Sequence, residues 1–120
     1  MGQSYRDLIA WQKAMDFVIS VYGITRTFPR DETYGLASQL RRTAVLIPTN
    51  IAEGQARFSP QEFHFFLSRA RGGLVEVETE LLLAQKLEYF STETGQKLLD
   101  KAAELGKVLN GLMGAIRPAA

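Results

Sequence analysis

The chain has 120 residues, 46% hydrophobic and 22% charged, with a formal net charge of +1, the make-up of one ordinary globular domain spanning 1–120. It has no cysteine and a single histidine, which excludes disulfides, thiolate metal sites and cysteine catalysis. No apolar run approaches the roughly 18 residues of a membrane span, and MGQSYRDL carries no apolar signal segment, so the expectation is a cytoplasmic protein.

Charge is uneven along the chain. Up to Gly72 there are nine Lys and Arg against six Asp and Glu, and from Gly73 onward five against seven. All but one of the cations in the first part are arginine, the side chain suited to phosphate or carboxylate partners.

The hydrophobic periodicity predicts four helices and no strands, at about 8–26, 31–55, 60–88 and 92–116. In the first, Asp7 is a plausible N-cap, and Leu8, Trp11, Met15, Val18 and Tyr22 follow a 3-4-3-4 spacing that assigns them to the core. Phe28-Pro29 then breaks the pattern. Asp31 and Glu32 fall in the predicted first turn of helix two, where carboxylates favour the dipole.

Helix two has the stripe Leu36, Leu40, Thr43, Ile47 and Ile51. Val45 and Leu46 lie off it, and Val45-Leu46-Ile47 together sweep about 200° of the helix, wider than one core-facing stripe. Pro48 is expected to bend the helix and free a carbonyl for Asn50 to bond. Glu53 stands four residues before Arg57, and Gly54 ends the helix or allows a close contact.

Ser59-Pro60-Gln61-Glu62 is a strong helix start: a serine cap, a proline at the first position and the glutamate of a capping box. The third stripe is Phe63, Leu67, Ala70, Leu74, Val77, Leu81 and Ala84, while Leu82 and Leu83 extend the apolar surface around the helix. Gly72-Gly73 is read as a close helix approach. Ser91 is expected to cap helix four, Leu98, Ala102, Leu105, Leu109, Leu112 and Ile116 to line its buried face, and Pro118 to stop it.

These elements predict an all-α, antiparallel up-down-up-down four-helix bundle. The wide apolar girdles of helices two and three, represented by Val45, Leu46, Leu82 and Leu83, predict a homo-oligomer. Arg41, Arg42, Asn50, Glu53, Glu76 and Glu80 are read as a structural polar cluster, with the two arginines pairing the carboxylates of helix three. Arg57, Arg69 and Arg71 are candidate nucleic-acid contacts. His64, among Phe63, Phe65 and Phe66, reads as packing. A di-metal carboxylate site would need Glu-x-x-His motifs that the chain lacks. No phosphate loop or nucleophile elbow is present, so neither a cofactor nor an enzyme is expected.

The same residues carry a resemblance. Tyr5-Arg6-Asp7-Leu8 with Trp11-Gln12-Lys13-Ala14, then Gln39-Leu40-Arg41-Arg42, Ile47-Pro48 and Asn50-Ile51-Ala52-Glu53-Gly54, and finally Ala70-Arg71-Gly72 with Glu76 and Glu78-Thr79 resemble the four-helix proteins encoded in intervening sequences of 23S ribosomal RNA genes. These are often labelled S23 ribosomal proteins, from gene position and not from a ribosomal role. The match covers nearly the whole chain. One departure is Gly73, where the family commonly has serine. The resemblance implies a ring-like homopentamer and kinship with the accessory variability determinant protein of diversity-generating retroelements, a basic pentamer that works with a reverse transcriptase and RNA. The expectation is therefore a non-enzymatic oligomeric scaffold or adaptor for RNA or a nucleic-acid enzyme. The alternative is a protein-interaction module without nucleic acid, which the near-zero net charge favours. Fivefold repetition of an arginine-bearing surface would supply phosphate contacts by avidity.

Overall fold

The structure, a computed structural model, describes residues 4–116. Four α-helices carry almost all of it: α1 (Ile9–Thr25), α2 (Leu36–Gln55), α3 (Pro60–Lys86) and α4 (Thr92–Ala115), with single 3-10 turns at Tyr5–Asp7 and Arg30–Glu32. Among the described residues there is no strand, and no helix is long and apolar enough to cross a membrane.

Three of the four predicted stripes reach the core. Leu40, Ile47 and Ile51 of α2, Leu67, Val77 and Leu81 of α3, and Leu105 and Leu109 of α4 are fully buried. Each such side chain contributes about 1.5–3 kcal/mol on burial.

The stripe of α1 is displaced. Ala10, Ala14, Phe17, Val21 and Ile24 are the buried positions, one residue out of step with the predicted set. Leu8, Trp11 and Val18 are half-buried, and Met15 and Tyr22 remain 39% and 38% exposed. Both sets repeat at 3-4 spacing. The inner set wins because the small side chains Ala10 and Ala14 let α1 sit close to the bundle, leaving the larger Trp11, Met15 and Tyr22 at its edge.

Helix boundaries shift for local reasons. Asp7 does not cap α1. It lies in the first 3-10 turn, which Ser4 caps through Arg6 N, and Leu8 precedes α1 without a side-chain cap. Helix two begins at Leu36 and not at Asp31. Glu32 reaches forward from its own 3-10 turn, its Oε1 accepting from Leu36 N at 3.0 Å and its Oε2 from the Tyr89 hydroxyl at 2.7 Å. Gly35 makes room for this: a Cβ there would stand 2.5 Å from Glu32 Oε1. These two bonds, the backbone one first, hold the Glu32 carboxyl below its usual range, and the carboxylate raises the Tyr89 phenol.

Ser59 and Ser91 cap α3 and α4 as expected, accepting from Glu62 N at 3.3 Å and Thr94 N at 3.1 Å. Helix α3 stops at Lys86, where Glu88 takes φ 63° and Tyr89 N donates to Ala84 O at 3.1 Å. Helix α4 ends at Ala115, and Pro118 lies outside the described residues.

The close helix approach falls at Gly54, where a Cβ would stand 2.7 Å from Phe66 Cβ and 3.1 Å from Phe63 Cδ1. Gly73 makes only ordinary contact, 3.5 Å to Ile47 Cγ1, and Gly72 has open space beside it.

Candidate functional site

The outer stripe of α1 gains its meaning from α2. Tyr5, Trp11, Met15 and Val18 line one wall of an open groove of about 570 Å³, and Val45, Pro48, Thr49, Ala52 and Glu53 line the other. Tyr5 and Trp11 meet edge to face at 5.4 Å. Val45 is also a wall of a second groove, about 490 Å³, lined by Tyr22, Thr33, Tyr34, Ser38, Arg41, Arg42 and Leu46. Two grooves, one apolar and one rich in arginine and tyrosine, thus meet at one half-exposed valine.

In the second groove, Arg41 is held from behind by α1. Thr25 is buried and donates to Tyr22 O at 3.0 Å, and its Oγ1 accepts from Arg41 Nε at 2.8 Å. The guanidinium of Arg41 then rests over the Tyr22 ring, 5.0 Å from its centre. Arg42 donates to Ser38 Oγ at 3.3 Å, and Tyr34 is 95% exposed.

This arrangement corrects the predicted Arg–Glu cluster. Arg41 and Arg42 bond hydroxyls, and among the described residues neither has a carboxylate within 4.0 Å. Glu80 is only 6% exposed, and among the described residues neither of its oxygens has a hydrogen-bond partner. Burial, followed by the charge of Glu76, raises its carboxyl above the usual range, and Gln39 opposes this weakly. Asn50 is buried and its Nδ2 donates to Leu46 O at 2.8 Å, two residues beyond the Ala44 carbonyl that Pro48 frees. Glu53 does accept from Arg57, at 3.1 Å.

Of the three candidate nucleic-acid arginines, Arg57 and Arg69 cover the adjoining rings of Phe66 and Phe65, which meet edge to face at 5.4 Å. Arg57 lies between Glu53 and Glu62, at 3.1 and 3.6 Å, with its head over Phe66. Arg69 lies over Phe65. Arg71 borders a separate pocket with Glu78, Ala102 and Lys107 on the α3–α4 side. Of the predicted interface residues, Val45 and Leu46 border the grooves, whereas Leu82 and Leu83 stand half-exposed on the second half of α3. His64 is half-buried, and among the described residues no group of His, Asp and Glu could hold a metal.

Comparison with known proteins supplies the lineage. The family profile of the 23S rRNA-intervening sequence protein matches residues 6–111. The chain belongs to this family. A solved structure with the same fold is a protein of unknown function from the S23 ribosomal protein family of Bacteroides thetaiotaomicron. It is 21% identical, with a TM-score of 0.81 over 88% of this chain and 98% of that one. No curated protein matches. The 23S rRNA-intervening sequence family thus brings a fold and no assigned chemistry.

Tyr22, Tyr34 and Met15 escaped sequence reasoning as groove residues. The signal was present in the two interleaved stripes of α1, which one core cannot bury together.

Proposed function

We propose that the chain is a non-catalytic assembly module that builds a ring by head-to-tail contact and acts as a scaffold or adaptor. What supports it is an apolar groove together with exposed leucines that are not part of its lining. The groove of Trp11, Met15, Val18, Val45 and Pro48 is concave, and the half-exposed Leu82 and Leu83 of α3, with Leu87 just past its end, supply the ridge in this reading. Surfaces that complement each other without being the same patch make heterologous contacts, and these close into rings when the rotation permits. Fivefold closure is the number the family resemblance suggests. The up-down-up-down course is supported by the pairing of Gly54 with Phe63 and Phe66, of Gly73 with Ile47, and of Gly106 with Leu74. The cytoplasmic, single-domain reading is retained.

The test uses two charge variants. Val45→Glu disables the groove and Leu83→Glu the ridge, both at exposed positions. Each variant alone should have the solution mass of one chain, and an equal mixture should form a two-chain species through the surviving groove and ridge. A parent of one-chain mass, or variants that keep the parent's mass, would overturn the proposal. Two monomeric variants that fail to pair would show that a two-fold contact had been broken instead.

A second reading, RNA or a nucleic-acid enzyme as the cargo, rests on the other groove. Among the described residues Arg41 and Arg42 have no carboxylate partner, and Tyr22 and Tyr34 offer faces on which bases stack. Structured RNA should bind with an affinity that falls as salt rises and that Arg42→Gln with Tyr34→Ala weakens. Fluorescence anisotropy at low and physiological salt reads this, and no binding at low salt leaves the protein-only module.

A further inference from the structure

A third cavity, of about 450 Å³, opens where the end of α1 meets the start of α4. It shares no residue with the two α1–α2 grooves, and its volume falls within the roughly 300–1,000 Å³ of small-molecule sites. Its floor is apolar: Ile24, Phe90 and Leu98. One wall is bare backbone, because Gly23 lines the cavity and a Cβ there would meet nothing within 4 Å.

The polar groups around it divide into two kinds. Two of the hydroxyls already donate within the protein: Thr27 to Ile24 O at 2.8 Å, and Ser91 to Thr94 Oγ1 at 2.9 Å while it caps α4. A ligand that bonds Ser91 would therefore compete with the cap. The lysines are available. Lys101 Nζ donates to Ser20 Oγ at 2.9 Å and has no carboxylate partner among the described residues. Lys97 reaches Glu93 only at 4.0 Å, with both side chains largely in water. An apolar floor with two positive charges at its mouth selects a ligand with an apolar body and one anionic head.

We propose that this cavity binds a small amphipathic carboxylate, acyl or aryl. The body lies on Ile24, Phe90, Leu98 and the backbone of Gly23, and the head sits between Lys97 and Lys101. The proposal is independent of ring assembly, since the Val45→Glu chain retains the whole cavity.

Titration of the full chain with the fluorescent probe anilinonaphthalene sulfonate, followed by displacement with decanoate, tests it. Two variants decide. Gly23→Leu fills the cavity and improves the helix propensity of α1, so it folds at least as well as the parent, which a thermal melt verifies. Lys97→Gln with Lys101→Gln removes the charges and nothing from the core. Decanoate should displace the probe saturably, with Kd raised by more than about tenfold in Gly23→Leu and by about fivefold in the double lysine variant. Decanol, the same chain without the charge, should bind about fivefold more weakly than decanoate. Decanoate affinity within about twofold of the parent in either variant, equal binding of decanol, or no saturable displacement below the micelle threshold of decanoate would overturn the proposal.

Discussion

The α2–α3 seam and the α1–α4 seam close the same bundle by opposite means. Between α2 and α3 the backbones come together at Gly54, whose missing side chain is replaced by Phe63 and Phe66. The outward surfaces of that pair still carry Val45, Leu46, Leu82 and Leu83, and one carboxylate, Glu80, is buried with no hydrogen bond to its oxygens among the described residues. Between α1 and α4 lysines span the gap: Lys13 bonds Glu104 and Lys101 bonds Ser20, and a cavity stays open beside them. On this seam the open apolar surface is the recessed floor of that cavity, ringed by lysines. The α2–α3 pair, unfinished on its outside, is where another copy of the chain can gain buried area.

The comparison breaks most readily at Gly54. Gly54→Ala puts a Cβ into Phe66, and the overpacking should outweigh the gain in helix propensity, costing about 2 kcal/mol in chemical denaturation. The same substitution at Gly72, with open space beside it, should be neutral or stabilising by up to about 1 kcal/mol.

Glu80 sharpens the contrast through pH. Its folded pKa is raised, so the penalty of ionising it grows as pH rises from the ordinary carboxylate range through the folded value. Glu80→Gln should raise stability at neutral pH by roughly 1 kcal/mol. The advantage should vanish on acidification, and denaturant midpoints across pH read both effects. The Glu104 carboxyl, held low by the Lys13 bond, has the opposite sign: what it contributes is present above the ordinary carboxylate range and is lost as pH falls.

Smaller effects follow at the helix ends. Ser91→Ala removes the α4 cap and should cost about 1 kcal/mol. Glu88→Gly relieves a left-handed φ of 63° and should gain about 0.5–1 kcal/mol in the same assay. Lys13→Met should have the smallest effect, an exposed pair whose loss salt already mimics.

How much of this was legible in the sequence varies by element. The starts of α3 and α4 were readable because a capping serine, followed in α3 by proline, acts locally, although the Glu62 carboxylate faces Arg57 at 3.6 Å. The stripes of α2, α3 and α4 were readable because leucine, isoleucine or valine recurs along each at helical spacing, with no second stripe of the same period competing for the core. Helix α1 misled because two stripes with the same period compete there, and Ala10 and Ala14 look weaker than Met15 and Tyr22 although smallness is what draws them inward. The Arg–Glu pairing was unreadable from spacing, since an arginine chooses among all groups within reach of its long side chain. Here Thr25 and Ser38, with the Tyr22 ring, took both arginines. The cavity at Gly23 was unreadable because two stretches far apart in the chain, 20–27 and 89–101, build it, and its helical positions mix glycine, hydroxyl and lysine residues that no apolar stripe marks.

The Glu32 carboxylate also governs the order in which the chain becomes structured. It accepts from Leu36 N four residues ahead and from the Tyr89 hydroxyl 57 residues ahead. During synthesis the first bond is available at once, but the second waits until the whole of α3 has been made. The start of α2 therefore gains its full anchor only when the α3–α4 connection returns to it, and closure of that long loop completes the end of a helix begun far earlier.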